Sequence, residues 1–508
     1  MTPAVPAPFT AAQRWTLIAT VLGSSMAFID GSVVNVALNA LQKDFGADLA
    51  AAQWVVNAYT LMLAALILTG GALGDLYGRK RLFGLGVLIF AAASLGCGLA
   101  PSLELLIAAR ILQGVGGALL IPGSLALINT VFPGHSRGRA IGLWSSTTSL
   151  VTIFGPALGG VLVDTASWRV VFLINLPLAV LVLLSLRAVP SVQPTPTDAR
   201  PDLIGSALAV LGLGALTYGL IRAGASGLAG LPLLTTLGGA AVLGLFVLWE
   251  ALARAPMLPL GLFRSAAFSG TNLLTFLLYG ALGAALFFLP LNLIGVQGYS
   301  AALAGTAFLP LSLLLAGLSG YFGGLADRIG PRWLLTAGPV LAGLGFALLG
   351  GLGVGGSYWT KVLPSMLVIG LGMAITVAPL TAAVMGSVGS EYSGTASGVN
   401  NAVSRAAGLI ALVVFTLLML SHFRGALDTF LQAAELPESV RRSMTAQSAR
   451  LAQVPVPSGL RATQTAAAVL AVKQAFADSF RLVCWGSGLL AVAGGLVGGW
   501  SLGRDKSA

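Results

Sequence analysis

A single aspartate interrupts the first long apolar segment of the chain. Asp30 lies in the run FIDGSVVNVAL, well inside the stretch from Trp15 to about Leu38. In a membrane-spanning helix, a central carboxylate costs about 2.5–3.5 kcal/mol, whereas each Leu or Val gains roughly 0.3–0.6 kcal/mol. A carboxylate in that position, facing an internal cavity, could bind and release a proton. The alternative is a structural, hydrogen-bonded aspartate near the outer end of the helix.

A second intramembrane charge is predicted in the fourth apolar segment, in the run ARILQGVGG. Arg110, Gln113, Gly114 and Gly117 follow one another at helical spacing and would share one helix face. A guanidinium keeps its proton, so within a membrane it must meet water or a carboxylate. Asp30 is a candidate partner, although spacing along the chain does not establish a contact. Alternatively, Arg110 lies near the start of its span and extends to the outer membrane surface.

A short charged motif occurs twice, about 250 residues apart, as GALGDLYGRKR and GLADRIGPR, each time between two long apolar segments. Its glycines permit a sharp turn, and its acid can pair with a nearby Arg or cap a helix. The basic residues are in part a membrane-topology signal. A repeat of this period in an apolar chain indicates two similar halves, as in secondary transporters. The residues singled out in the two copies are Gly71, Asp75, Gly78, Arg79, Lys80, Asp327 and Arg332.

Two further features lie in later apolar segments. Gly155, Pro156, Gly159 and Gly160 lie in the run FGPALGGVLVD of the fifth segment. The proline predicts a bend, and the glycines let a neighbouring helix approach closely. The thirteenth segment carries Arg405, either a second functional charge or an anchor at the inner membrane surface.

The composition excludes an ordinary water-soluble protein. Of the 508 residues, 56% are hydrophobic and 8% are charged, and the mean hydropathy is +0.93. Soluble domains carry about 25% charged residues. The net charge of +11 could suggest a nucleic-acid partner, but the basic residues are scattered between apolar segments. We therefore expect no nucleic acid. Cys97 and Cys484 lie in apolar segments and are expected to be small buried side chains.

Fourteen apolar segments are long enough to span a membrane, which requires about 20 residues each. Basic residues concentrate in alternate connections, which predicts that both termini are cytoplasmic. The predicted spans begin near Trp15, Ala52, Leu82, Glu104, Ala140, Val170, Leu203, Leu231, Phe268, Ala301, Trp333, Val362, Thr395 and Phe480.

The motif repeat divides the chain into three parts. Residues 1–190 form a predicted N-terminal six-helix bundle, and residues 259–508 form a C-terminal six-helix bundle. Residues 191–258 hold a Pro/Thr-rich linker and two inserted transmembrane helices without a counterpart in the repeat. A long outer loop is expected at about 421–479, as a partly helical and solvated segment.

Nearly the whole chain resembles the major facilitator superfamily, in particular its fourteen-helix drug:proton antiporter branch. The resemblance implies an all-α integral membrane protein with the major facilitator fold, two six-helix bundles plus two inserted helices (14 transmembrane helices). It implies proton coupling at Asp30, Arg110 and Gln113, a charge lock between the halves at the repeated motif, and an exporter signature in the fifth span. Two positions depart from the family pattern. Val151 replaces a further glycine, and Pro331 stands where the first motif copy has Arg79.

We therefore expect a proton-coupled antiporter, not an enzyme, in the cytoplasmic (inner) membrane. It would export small hydrophobic or cationic organic compounds, such as drugs, dyes or antibiotics, by alternating access. The alternative on the same fold is an exporter or flippase of lipids, amphiphiles or metabolites. The sequence has no Walker A motif, no metal-ligand cluster and no Ser/His/Asp arrangement. We expect no catalytic residue, metal or cofactor, and a functional monomer whose partners are its substrate, protons and the bilayer.

Overall fold

The computed structural model describes residues 9–132, 135–190, 201–227, 229–388 and 393–504, and single side chains within these ranges are not described. Within the described ranges the chain forms helices joined by short connections. Thirteen of the described helical segments are long and apolar enough to cross a membrane. The chain is therefore an all-α, multi-pass membrane protein.

The helices fall into three consecutive groups. The first comprises α1 (Ala11–Phe45), α2 (Leu49–Tyr77), α3 (Arg79–Leu99), α4 (Leu103–Val131), α5 (His135–Thr165), α6 (Val170–Leu173) and α7 (Asn175–Arg187). The second comprises α8 (Leu203–Ser226) and α9 (Leu231–Leu252). The third comprises α10 (Ala266–Gly295), α11 (Ala301–Thr306), α12 (Leu309–Ile329), α13 (Pro331–Leu349), α14 (Leu363–Gly386), α15 (Ser393–Ala433), α16 (Glu438–Ala446) and α17 (Ala462–Arg504).

The fourteen predicted spans correspond to these helices in order, with α6 and α7 forming the sixth span and α11 and α12 the tenth. The fifth predicted span, α5, is not among the thirteen because some of its side chains are not described. It is nevertheless a helix of 31 residues. At about 1.5 Å per residue, that length is sufficient to cross a bilayer.

Local chemistry fixes where several helices begin. The side chains of Thr10, Asp48, Ser102, Ser265 and Ser300 each accept a hydrogen bond from a backbone N–H in the first turn of the following helix. These caps satisfy donors that the helix itself leaves without a partner. They account for the sharp starts of α1, α2, α4, α10 and α11.

The first and third groups pack their helices in the same pattern. In the first group, α2 and α3 both contact α4, α1 contacts α5, and α7 contacts α1 and α3. In the third group, α12 and α13 both contact α14, α10 contacts α15, and α17 contacts α10 and α13. The two groups meet where α2 lies against α15 and where α5 lies against α11.

The inserted pair α8–α9 attaches beside one of these junctions. Leu213 of α8 packs with Leu61 of α2 and Leu409 of α15, and Ile221 of α8 packs with Val413 of α15. In contrast, only 6% of the most apolar 18-residue stretch of α9 is buried inside the protein. α8 therefore covers the α2–α15 junction, and most of α9 faces lipid.

The loop predicted at about 421–479 is shorter in the structure, because α15 continues to Ala433 and α17 begins at Ala462. Phe423, Leu427 and Leu431 recur every four residues, and all three are buried. This spacing gives the extension of α15 an apolar face that packs against the bundle. The stretch between the two helices, residues 434–461, is called the distal segment below.

The distal segment lies on the side of the bundle opposite the start of α1 and the end of α17, and we call this side the distal face. Met444 and Leu451 are buried in an apolar cluster that also includes Leu38 of α1. Gln453 donates from Nε2 to Oδ1 of Asn39 on α1, at 2.9 Å. This segment contains the short helix α16, and it also buries side chains that tie the third helix group to the first.

Candidate functional site

The structure brings Asp30, Arg110 and Gln113 into one hydrogen-bonded network inside the first helix group. Arg110 donates from Nη1 to Oδ2 of Asp30 and, at 2.7 Å, to Oε1 of Gln113. Gln113 donates from Nε2 to Oδ1 of Asp30 at 2.9 Å. The three side chains are at most 1% exposed. The ion pair is thus closed off from solvent in this conformation, and Arg110 does not extend to the membrane surface.

Gln113 uses its full hydrogen-bonding capacity in this network. Its amide nitrogen also donates to Oγ of Ser94 at 2.8 Å, and its oxygen accepts from Sγ of Cys97 at 3.6 Å. A glutamine side chain has two donors and two acceptor lone pairs. With all four engaged, Gln113 holds the Asp30 carboxylate and the Arg110 guanidinium in fixed positions.

Arg110 has further partners that do not depend on the carboxylate. Its Nε donates to the carbonyl oxygen of Val55 at 2.8 Å. Its guanidinium carbon lies 4.4 Å from the ring centroid of Tyr59 and 5.6 Å from that of Phe172. Aromatic faces attract cations at such distances. Arg110 would therefore keep a carbonyl and two aromatic contacts if Asp30 were neutral.

Close contact between α4 and α2 explains why the residue after Gln113 is a glycine, Gly114. A Cβ added at Gly114 would lie 2.6 Å from the carbonyl oxygen of Tyr59, so α4 can approach α2 at this point only without a side chain. Tyr59 in turn donates its hydroxyl to the carbonyl oxygen of Ala27 on α1, at 3.2 Å. The phenol ring is therefore fixed between α1, α2 and α4.

Sequence reasoning did not identify Ser94, Tyr59 or Phe172 as members of the site. They lie on α3, α2 and α6, and residues of these types are common in membrane helices. No spacing in the sequence relates them to Arg110, so only the packing of the helices reveals their role. Among the described residues, no group of three or more His, Cys, Asp or Glu side chains could hold a metal ion.

The Gly/Pro motif of α5 has two contact faces. On one face, a Cβ added at Gly155 would overlap Oγ of Ser32, and one added at Gly159 would overlap the side chain of Val33. Both partners belong to α1, only two and three residues after Asp30. The glycines therefore allow α5 to pack directly on the segment that carries the buried carboxylate.

The other face of α5 meets α11 of the third helix group. Here a Cβ added at Gly160 would overlap the carbonyl oxygen of Ala301, and one added at Gly305 would overlap that of Pro156. Small residues spaced four apart on both helices permit this close crossing. It belongs to the distal face and joins the two groups.

Asp164, one helical turn after Gly160, reinforces the same crossing and was not singled out from the sequence. Its Oδ1 accepts from the N–H of Ala301 at 3.1 Å, and its Oδ2 accepts from the N–H of Ala302 at 2.7 Å. A carboxylate at the start of a helix satisfies free N–H groups and the helix dipole. α5 thus adds a second cap to the start of α11, beside that of Ser300.

The first copy of the repeated motif turns the chain between α2 and α3. Gly78 has φ = +96°, a conformation that side chains disfavour. Arg79 donates to the carbonyl oxygen of Ala126 at 3.2 Å and to Oγ1 of Thr130 at 2.7 Å, both on α4. Lys80 donates to the carbonyl oxygen of Val189, just after α7.

Gly71 and Asp75 are the other two residues singled out in this copy. Gly71 lies on α2 facing Pro122 of α4. The side chain of Asp75 lies outside the described residues.

The second copy forms the equivalent turn between α12 and α13. Gly330 has φ = +82°. Arg332 donates from Nε to the carbonyl oxygen of Gly499 on α17, at 3.1 Å. Lys80 and Arg332, which correspond in the repeat, thus both bind backbone near the end of the last helix of their own group. The side chain of Asp327 lies outside the described residues, so the predicted charge lock between the halves stays a prediction.

Comparison with proteins of known family places these features in context. The sequence profile of the Major Facilitator Superfamily matches residues 20–412. The chain is 36% identical over 444 residues to the multidrug resistance protein Stp of Mycobacterium tuberculosis (strain CDC 1551 / Oshkosh), which covers 86% of this chain and 81% of that protein. It is 36% identical to the puromycin resistance protein pur8 of Streptomyces alboniger, over 79% of this chain and 80% of that protein.

A third relative and the solved structures extend the likeness. The chain is 33% identical to the tetracenomycin C resistance and export protein of Streptomyces glaucescens, over 89% of this chain and 85% of that protein. Its fold resembles a bacterial homolog of the human lysosomal transporter Spinster in an inward-facing, unoccupied conformation, with TM-score 0.66 and 17% identity over 98% of this chain and 99% of the other. The D-xylose-proton symporter gives TM-score 0.58 and 18% identity, over 88% of this chain and 98% of the other. From the profile match and these relatives, the chain belongs to the Major Facilitator Superfamily and groups with its drug-efflux transporters.

Proposed function

We propose that this protein is a proton-coupled antiporter that exports small organic compounds, such as drugs, dyes or antibiotics, by alternating access. The observation that carries the proposal is the buried network of Asp30, Arg110 and Gln113. The names of relatives support the cargo class, since they refer to multidrug resistance, puromycin resistance and tetracenomycin C export.

Asp30 is the proton-exchanging group in this mechanism. Burial of an unpaired charge is costly, so a carboxylate in a membrane helix remains ionised only with compensating partners. Arg110 and Gln113 provide them here. When helix movement admits water and weakens these bonds, Asp30 takes up a proton. Arg110 then remains held by the Val55 carbonyl and the Tyr59 ring.

Residues 1–190 and 259–508 act as the two moving bundles, and residues 191–258 provide the linker and the inserted helices. The matching helix pairings of the first and third groups support this division. In the present conformation, the α5–α11 crossing and the distal segment hold the bundles together on the distal face. Opening of that face requires both contacts to separate. The contacts of Asp30 lie within one bundle, and its neighbours Ser32 and Val33 touch α5, so a shift of α5 acts directly on the proton site.

The distal face is the extracellular one, with both termini in the cytoplasm and the protein in the cytoplasmic membrane. The basic residues of the motif loops, which lie on the opposite face, support this orientation. One chain contains both bundles and the complete proton site, so a monomer is the functional unit.

The decisive experiment compares wild type with Asp30→Asn in everted membrane vesicles. The vesicles are energised, lumenal pH is followed with a fluorescent dye, and cationic and neutral drugs are added in turn. We expect a drug-dependent proton leak in the wild type and none in Asp30→Asn, because an amide side chain neither takes up nor releases a proton at physiological pH.

Asp44→Asn is the matched control, since Asp44 lies at the end of the same helix and is exposed. Its ion pair with Arg169 is of the exposed kind that contributes little stability. We expect this variant to behave like the wild type. A drug-dependent leak that survives in Asp30→Asn would overturn the coupling role. No response to any drug in the wild type would instead favour lipids, amphiphiles or metabolites as cargo.

A further inference from the structure

Arg405 is an arginine in the first third of α15. Its Nε is buried without a hydrogen bond, and within the described part of the chain no ion pair includes it. Ala402 and Leu409 flank it on the same helix face and pack against α2. Arg405 therefore points from the third helix group towards the first, and not towards lipid.

Open space lies beside this guanidinium. Asn401, one helical turn before Arg405, is exposed, and Arg405 itself is partly exposed. A Cβ added at Gly408, on the same face one turn later, would meet no described atom within 4 Å. The stripe Asn401–Arg405–Gly408 thus lines an accessible cavity between the two helix groups.

Tyr59 connects this cavity to the proton site. One side of Tyr59 faces Arg110, and the ring is also close enough to Arg405 for an electrostatic interaction. A Cβ on Gly31, the residue after Asp30, would lie 3.9 Å from the same ring. Two arginines and one aspartate therefore surround Tyr59. When Asp30 is ionised, it compensates Arg110, and the charge of Arg405 is left over.

An uncompensated guanidinium in a membrane interior is costly and characteristically marks a substrate path. A cationic compound in this cavity would meet a like charge, which is unfavourable. A carboxylate or phenolate oxygen would compensate the charge, and a guanidinium binds such oxygens with short, strong and often paired hydrogen bonds. Asn401 and Gly408, which flank Arg405 on this face, are neutral and add no competing anion.

We propose that Arg405 is the substrate-binding cation of the central cavity, and that the exported compounds carry an anionic oxygen, a carboxylate or phenolate, that pairs with its guanidinium. This inference rests on the proposed export function and narrows its cargo. Of the hydrophobic and cationic compounds expected from the sequence, it retains the hydrophobic ring systems and replaces the positive charge with an acidic group.

The test uses two dyes with the same xanthene ring system and opposite charge. Fluorescein carries a carboxylate and a phenolate, and rhodamine 123 is a cation. Their binding to the purified full-length protein in lipid nanodiscs is measured by fluorescence anisotropy. The variants are Arg405→Gln, which removes the charge, and Arg405→Lys, which keeps the charge but loses the planar fork. Arg254→Gln, at an exposed position between α9 and α10, is the control for loss of one positive charge.

We expect wild type and Arg254→Gln to bind fluorescein at least about tenfold more tightly than rhodamine 123. Arg405→Gln should weaken fluorescein binding about tenfold or more, as for loss of a charged hydrogen bond, and change rhodamine binding by less than about twofold. Arg405→Lys should fall between the two. Unchanged fluorescein binding in Arg405→Gln, or equal losses for both dyes, would overturn the proposal. If Arg405→Gln fails to fold, the wild type decides, because a preference for rhodamine 123 would also overturn it.

Transport assays separate this inference from the proposed function. The same proteins in liposomes with an imposed pH gradient show whether either dye is moved. If fluorescein binding depends on Arg405 but no gradient moves either dye, the site assignment stands and the antiport function fails. If the gradient moves rhodamine 123 and Arg405→Gln changes nothing, the function stands and the site assignment fails.

Discussion

At the scale of single residues, the buried site is distinguished by how completely its groups are paired. Gln113 engages both donors and both acceptors, and Arg110 divides its donors between a carboxylate, an amide and a backbone carbonyl. Breaking one partner of such a network leaves the others buried and unsatisfied, which costs about 1–3 kcal/mol for each neutral group. This pairing explains how a membrane helix can carry Asp30.

Substitutions of Tyr59 separate its ring from its hydroxyl. Tyr59→Phe keeps the ring over Arg110 and loses the hydrogen bond to Ala27, so we expect a loss of stability of about 0.5–1.5 kcal/mol and nearly normal drug-dependent proton flux. Tyr59→Leu loses the cation–π contact, worth up to about 2 kcal/mol when desolvated, and should reduce the flux more than about tenfold. Thermal unfolding in detergent and vesicle flux measure the two effects. Equal flux in both variants would show that the ring has no role.

At the scale of helices, close backbone contacts keep the distal face closed. The crossing of α5 and α11 relies on Gly160 and Gly305, and Asp164 caps α11 from the opposite bundle. The distal segment adds the bond between Gln453 and Asn39. These contacts lie together on one face, so that face opens only if α5 and α11 separate.

Gly160→Ala tests the crossing directly. The added methyl group overlaps the carbonyl oxygen of Ala301, and overpacking of this kind costs about 1–3 kcal/mol. We expect the closed distal face to be disfavoured and drug export to fall about tenfold. Spin-label distances between the distal ends of α5 and α11 should lengthen. Gly238→Ala on α9 is the control, because its Cβ would meet no described atom within 4 Å. Unchanged distances in Gly160→Ala would contradict the closing role.

At the scale of the whole molecule, two helix groups have matching internal contacts, and the proposed substrate cavity lies between them. α8 seals the α2–α15 junction from the side. The charges nearest the cavity, Asp30 with Arg110 on one side and Arg405 on the other, belong to different groups. Movement of one group against the other therefore changes the separation of Arg405 from the proton site.

The proposed orientation has a direct test, because Cys97 and Cys484 are both free and buried. Their burial confirms the expectation from the sequence. A membrane-impermeant maleimide should therefore label only an introduced cysteine. In intact cells we expect labelling of Ser458→Cys on the distal face and none of Arg254→Cys, and the reverse in everted vesicles. Labelling of Arg254→Cys in intact cells would place the termini outside.

The sequence by itself determined the class of the protein and the order of its helices. Apolar length alone identifies a membrane span, and the motif repeat relates the two halves without any knowledge of contacts. Asp30 and Arg110 could be recognised from the sequence, because a charge inside a membrane span is costly whichever helices lie beside it. The sequence placed the end of the thirteenth span near Ser421 and the start of the last span near Ser479, whereas α15 continues to Ala433 and α17 begins at Ala462. These helix extensions are amphipathic and lack the continuous apolar run of a span.

Only the tertiary structure decided which residues meet. Gln113 lies three positions from Arg110, but Ser94 and Tyr59 reach the site from other helices, and no pattern along the chain encodes that approach. The same holds for the bond between Asp164 and the start of α11 and for the bond between Gln453 and Asn39. In each bond the two residues lie more than 130 positions apart in the sequence. Arg405 shows the difference most clearly. Its charge is visible in the sequence. The absence of an ion pair to it among the described residues is a property of the packed helices, because compensation depends on distance in space and not along the chain.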